Sequence, residues 1–167
     1  RSENVHQRYI IRRRTVTLYC FLRTSFHASA QPCALIATAR LHVMPEKRSI
    51  LVVEDDEQSQ KYMALLLSPD YDVHIVSNGR EALRILSDEQ VDLILMDLSL
   101  RDGEDGLTIT RRIRTSGPRS DVPIIALTAH AFPQDRKRSL DAGCDDYVSK
   151  PFQWRYLQNK LHVHLEG

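Results

Sequence analysis

From residue 50 onward the apolar and polar positions fall into two alternating kinds of block. Ile50-Leu51-Val52-Val53 is a short unbroken apolar run, the pattern of a strand buried on both faces of a parallel sheet. Tyr62, Leu65 and Leu66 then give a helical stripe that stops near Pro69, and residues 72–76 read as a second strand. Asn78 can cap a helix in which Ala82, Leu83, Ile85 and Leu86 recur at helical spacing. A third strand is predicted over 92–96, followed by a Gly- and acid-rich loop through Gly106 and a helix to about Arg114. Residues 123–127 form a fourth strand and 132–142 a helix with Gly143 as its stop. Tyr147-Val148 is a short fifth strand, and 154–164 a last helix. Five strands alternating with five helices predict βαβ units, hence an α/β domain with a doubly wound, five-stranded parallel sheet over residues 44–167.

Residues 1–43 carry no sustained period. They hold seven Arg, no Lys and one acid, Glu3, whereas residues 44–167 hold 16 Lys+Arg against 21 Asp+Glu, a balance of 16 − 21 = −5. The two parts have different chemistry. The first reads as a basic, disordered extension or a mis-called start, with Met44 the candidate true start; an Arg- and Ser-rich transit peptide and a basic nucleic-acid arm are the alternatives. No apolar run approaches the ~20 residues of a membrane span. Of Cys20, Cys33 and Cys144 only the last lies in the acidic part, and no CxxC pair exists, so a reducing, cytoplasmic setting is expected.

In a doubly wound sheet, function gathers at the C-terminal strand ends. There stand Glu54-Asp55-Asp56-Glu57 after the first strand, Asp97 after the third, Thr128 after the fourth and Lys150, before Pro151, after the fifth. Each alone has a bland reading: an acid run is usually solvated surface, a strand-end Thr is usually structural, and a Lys before Pro is usually exposed. Together they place carboxylates, a hydroxyl and an amine on one rim. Crowded carboxylates suit Mg²⁺, Lys150 suits a phosphate oxygen, and Thr128 can donate to one. His162 and His164 read as a helix end, Trp154 as packing and Cys144 as a small buried group.

Ile50-Leu51-Val52-Val53-Glu54-Asp55, Leu95-Met96-Asp97, Ala126-Leu127-Thr128-Ala129 and Tyr147-Val148-Ser149-Lys150-Pro151 resemble the receiver domain of bacterial response regulators over residues 48–165. The resemblance implies a flavodoxin-like fold, Asp97 as phosphoryl acceptor, and a Mg²⁺ site of Asp55, Asp97, Glu54 and the Ser99 backbone carbonyl. It implies Lys150 and Thr128 as phosphoryl ligands, Thr128 with Tyr147 as the switch, and Ser99 and His130 as residues that tune acyl-phosphate lifetime. The loop from Asp97 to Asp105-Gly106 is one residue longer than in chemotaxis-type receivers, and Arg101 stands near where many members have Pro. Thr128-Ala129-His130-Ala131 and residues 142–147 look most like stand-alone and hybrid-kinase receivers.

The function so implied is transfer from a histidine kinase or histidine phosphotransfer protein onto Asp97, with output by protein contact through residues 131–165 and no direct nucleic-acid or membrane binding. It is that of a receiver-only regulator, not an enzyme beyond its own phosphorylation and dephosphorylation. A fragment of a hybrid histidine kinase is the alternative. A haloacid-dehalogenase-like phosphatase wants Asp-x-Asp, which Asp97-Leu98-Ser99 lacks. A flavodoxin-like FMN carrier wants a phosphate-cradling loop where this chain has four acids. A structural pseudo-receiver would usually lack the Asp or the Lys.

Overall fold

The computed structural model describes residues 5–11, 14–20, 47–101, 104–129 and 132–166. The chain divides into two compact units, residues 1–46 and 47–167. In the first, β1 (Val5–Ile11) pairs antiparallel with β2 (Arg14–Cys20), Val5 opposite Cys20. These strands lie in the stretch whose sequence pattern predicted no element. Their β-branched and aromatic content, including Val5, Tyr9, Ile10, Ile11, Val16 and Tyr19, favours extended chain over runs too short to show a clear period.

The second unit runs β3 (Ser49–Val53), α1 (Glu57–Leu67), β4 (Asp72–Val76), α2 (Gly79–Asp88), β5 (Leu93–Asp97), α3 (Gly106–Ser116), β6 (Ile124–Thr128), α4 (Pro133–Asp141), β7 (Asp146–Ser149) and α5 (Trp154–Glu166). All five strands are parallel, in the order β4-β3-β5-β6-β7. This is the predicted doubly wound sheet, with the strand order reversing between β3 and β5. Successive residues of the central strands feed opposite faces. Leu51, Val53, Ile94, Met96 and Ala126 pack with Ala82, Leu86, Ile109 and Ile113 of α2 and α3. Ile50, Val52, Leu93, Leu95, Ile125 and Leu127 pack with Met63 and Leu67 of α1 and Leu157 and Leu161 of α5. Burial on both faces is why these strands read as continuous apolar runs.

Local signals hold where they were specific. The Asn78 side chain accepts from the Glu81 amide at 3.0 Å, and Gly143 follows α4 at φ +102°, a left-handed conformation that favours glycine. The face assigned to α1 is wrong: Tyr62 is 49 % and Leu65 75 % exposed, and Met63 and Leu67 are the buried pair. The run from Met63 to Leu67 is apolar all round, so its period does not select a face. Among the described side chains of α4, only Ser139 is buried. No helix among the described residues is long and apolar enough to cross a membrane.

Candidate functional site

The strand ends bring three carboxylates and one ammonium together. Asp97 is the last residue of β5 and Thr128 the last of β6, each one step further into its strand than the sequence pattern marked. Glu54, Asp97 and Thr128 are buried, 1 %, 4 % and 4 % exposed, and Asp55 and Lys150 are half-buried. Lys150 Nζ donates to Glu54 Oε2 at 2.6 Å and to Asp97 Oδ2 at 3.0 Å. The β6–β7 register brings it there: Thr128 lies opposite Ser149, and the Lys150 amide donates to the Thr128 carbonyl at 2.6 Å. The Lys150–Pro151 peptide is cis.

The loops carry the rest. Asp97 Oδ1 accepts from the Ser99 amide at 2.9 Å and Asp55 Oδ2 from the Arg101 amide at 2.8 Å. Gln60 Nε2 donates to the Glu54 carbonyl at 2.6 Å and Glu54 Oε1 accepts from the Asp56 amide at 3.2 Å. Asp56 turns away from the pocket, its side chain capping α1 by accepting from the Ser59 amide at 2.8 Å. The acidic run therefore splits into pocket residues Glu54 and Asp55 and the cap Asp56. Asp105 caps α3 in the same way through the Thr108 amide at 2.6 Å.

Charge in the pocket is unbalanced. Burial pushes the Glu54 carboxyl above its ordinary range, the Lys150 hydrogen bond opposes this, and the charge of Asp97 adds to it. Burial would lower the Lys150 ammonium, but its bonds to Glu54 and Asp97 outweigh burial and hold it above its ordinary range. One ammonium thus faces two buried carboxylates. Ligand oxygens of Glu54, Asp55 and Asp97 lie within 4.8 Å of one another, the one such cluster among the described residues. An all-oxygen donor set of this kind, short of positive charge, fits a hard divalent cation.

Ser99 is exposed beside Asp97, and Tyr147 is half-buried on β7 with the Arg136 guanidinium 5.6 Å from its ring centroid. His130 lies outside the described residues. Two contributors carried weaker signals in the sequence. A Cβ on Gly106 would clash with the Asp97 carbonyl oxygen, so glycine at this position lets α3 start directly against the end of β5. Gln60 reaches back from α1 to the β3 end, a contact invisible to any local pattern. His162 pairs with Glu166 at 3.2 Å within α5, and His164 Nε2 lies 3.4 Å from Asp146. Burial pushes the Cys144 thiol up to about 11, as expected of an inert packed group.

The division of the acidic run has a direct test. Asp55→Ala is expected to weaken a Mg²⁺ titration at least tenfold. Asp56→Ala is expected to leave it within about twofold and to lower the melting temperature by about 4 °C through the lost cap. The reverse ranking, read by calorimetric titration, would put the pocket one residue out of register.

The comparisons agree with this geometry. The family description "Response regulator receiver domain" matches residues 50–162. Response regulator MprA of Mycolicibacterium vanbaalenii is 38 % identical over 117 residues, 70 % of this chain and 49 % of that protein. Hybrid signal transduction histidine kinase G of Dictyostelium discoideum is 37 % identical over 117 residues, 68 % of this chain and 3 % of that protein. The chain thus spans about half the length of the one relative and a small fraction of the other. The solved receiver domain of a sensor histidine kinase from Pseudomonas aeruginosa, with a magnesium ion in its active-site cleft, is 40 % identical with a TM-score of 0.65, covering 72 % of this chain and 99 % of that one. With the doubly wound parallel sheet and the pocket at its strand ends, these matches establish that the chain belongs to the response regulator receiver domains of two-component signalling.

Proposed function

We propose that this chain accepts a phosphoryl group on Asp97 from a phosphohistidine of a histidine kinase or histidine phosphotransfer protein, and signals by protein contact. The observation that carries this reading is the buried Asp97 carboxylate, held 3.0 Å from the Lys150 ammonium and next to Glu54 and Asp55 at one strand-end rim. An Asp97 oxygen attacks phosphorus; the new O–P bond forms as the donor's P–N bond breaks and imidazole leaves. Asp55, Asp97, Glu54 and the Ser99 carbonyl are the groups that would hold Mg²⁺, which when bound supplies charge neutralisation between the carboxylates and the phosphoryl oxygens. Lys150 moves its hydrogen bond from Asp97 Oδ2 to an equatorial phosphoryl oxygen. Thr128 donates its hydroxyl to another, and Tyr147 follows into the space behind it. Water attack on the acyl phosphate resets the switch, with Ser99 and His130 flanking its path.

Output through residues 131–165 is supported by the composition of that face. Phe132 is 68 % exposed, Leu140 and Tyr156 are also exposed, and α4 buries little of itself. A helix held by few apolar contacts is easily biased by a change at Thr128. The hybrid-kinase match supports a second reading, a receiver that is one segment of a larger kinase; it has the same chemistry and a different attachment.

The test is incubation with acetyl phosphate followed by intact mass measurement. One added phosphate is expected with Mg²⁺ and none with a chelator. No uptake from acetyl phosphate or from a phosphorylated histidine donor would overturn the reading.

A further inference from the structure

We propose that Arg101 is a positioning residue whose backbone N–H latches the loop after β5 onto Asp55, holding that carboxylate ready for the divalent cation. The proposal rests on the reading of the pocket as a metal-bearing acceptor site. The latch joins two strand ends distant in sequence, because Arg101 N donates to Asp55 Oδ2 at 2.8 Å across 46 residues. Two residues earlier the same loop donates the Ser99 amide to Asp97 Oδ1 at 2.9 Å. Alternate amides of one loop therefore fix one oxygen of each of two carboxylates whose ligand atoms lie within the same 4.8 Å cluster. Hydrogen bonds from amides to ionised carboxylates are short and strong, and they orient a ligand before the ion arrives.

The latch excludes one residue type at this position. Any residue but proline supplies this N–H; proline cannot. The side chain pulls the other way. The exposed Arg101 side chain carries its positive charge on the loop whose backbone bonds Asp55, beside the acidic rim. A cation there repels an incoming Mg²⁺ weakly, because water and salt screen it. The backbone and side chain of one residue thus act with opposite sign. Coupling is reciprocal: a latch that favours the ion must be favoured by it.

The experiment titrates the full chain with Mg²⁺ by calorimetry for wild type, Arg101→Ala and Arg101→Pro, and follows amide hydrogen exchange at Arg101 with and without Mg²⁺. Arg101→Ala keeps the N–H and is expected to bind Mg²⁺ as well as wild type or about twofold more tightly. Arg101→Pro is expected to bind about tenfold more weakly than Arg101→Ala. In wild type, Mg²⁺ is expected to slow exchange of the Arg101 amide, a readout that stands even if the proline variant fails to fold. Equal constants for the two variants, or exchange at Arg101 unchanged by Mg²⁺, would overturn the latch while leaving the metal reading intact. A wild-type chain that takes up no Mg²⁺ would overturn the metal reading and the latch with it.

Discussion

Asp97→Asn is expected to take up no phosphate from acetyl phosphate and Mg²⁺, yet to melt at or above the wild-type temperature. The two expectations have one cause. Asparagine keeps the shape of the side chain but removes the nucleophilic carboxylate, so the transfer has no acceptor. It also removes one of two buried carboxylates that share the single Lys150 ammonium, and with it one of the charges that push Glu54 up. Lys150 keeps its 2.6 Å bond to Glu54, so no charge is left unpaired. Retained stability matters, because it separates loss of chemistry from loss of fold. Phosphorylation of Asp97→Asn to the wild-type extent would place the acceptor elsewhere.

Lys150→Met has the opposite structural sign. It leaves Glu54 and Asp97, both nearly inaccessible to water, without their shared cation. Removing one partner of a buried ion pair is strongly destabilising; discounted for the 28 % exposure of the Lys150 side chain, the expected loss is about 2–3 kcal/mol. That corresponds to a fall of roughly 10 °C in melting temperature without metal. Millimolar Mg²⁺ is expected to restore part of the loss, since a divalent ion among the same oxygens supplies the missing charge. Phosphoryl uptake is expected to fall at least ~10²-fold, the usual consequence of removing a charge aimed at the transferring group. Thermal melts with and without Mg²⁺ check the first two points. An unchanged melting temperature would mean that the pocket is more hydrated than its burial implies.

The sheet was legible because its strands are buried on both faces. Runs such as 50–53 and 124–127 admit few alternatives once they alternate with capped helices. The pocket was legible because parallel topology carries Glu54, Asp55, Asp97, Thr128 and Lys150 to the same rim whatever the loops do. What stayed hidden depends on contacts that no local period encodes. The face of α1 was misassigned because the run from Met63 to Leu67 offers apolar groups all round and only the neighbouring sheet decides which are covered. The division of labour between Asp55 and Asp56 follows from where α1 begins, which a run of four acids does not mark. The need for glycine at 106 comes from the approach of its backbone to the Asp97 carbonyl, nine residues earlier. The hairpin β1–β2 pairs segments too short for alternation to be read against a basic, low-period background.

The acceptor assignment is tested most directly by locating the phosphoryl group itself. The chain is phosphorylated with acetyl phosphate and Mg²⁺, reduced with borohydride so that an acyl phosphate on aspartate becomes homoserine, and digested for mass mapping. Homoserine is expected at position 97 alone. Homoserine at 55 or 56, or a phosphate that survives borohydride on a histidine or hydroxyl side chain, would contradict it.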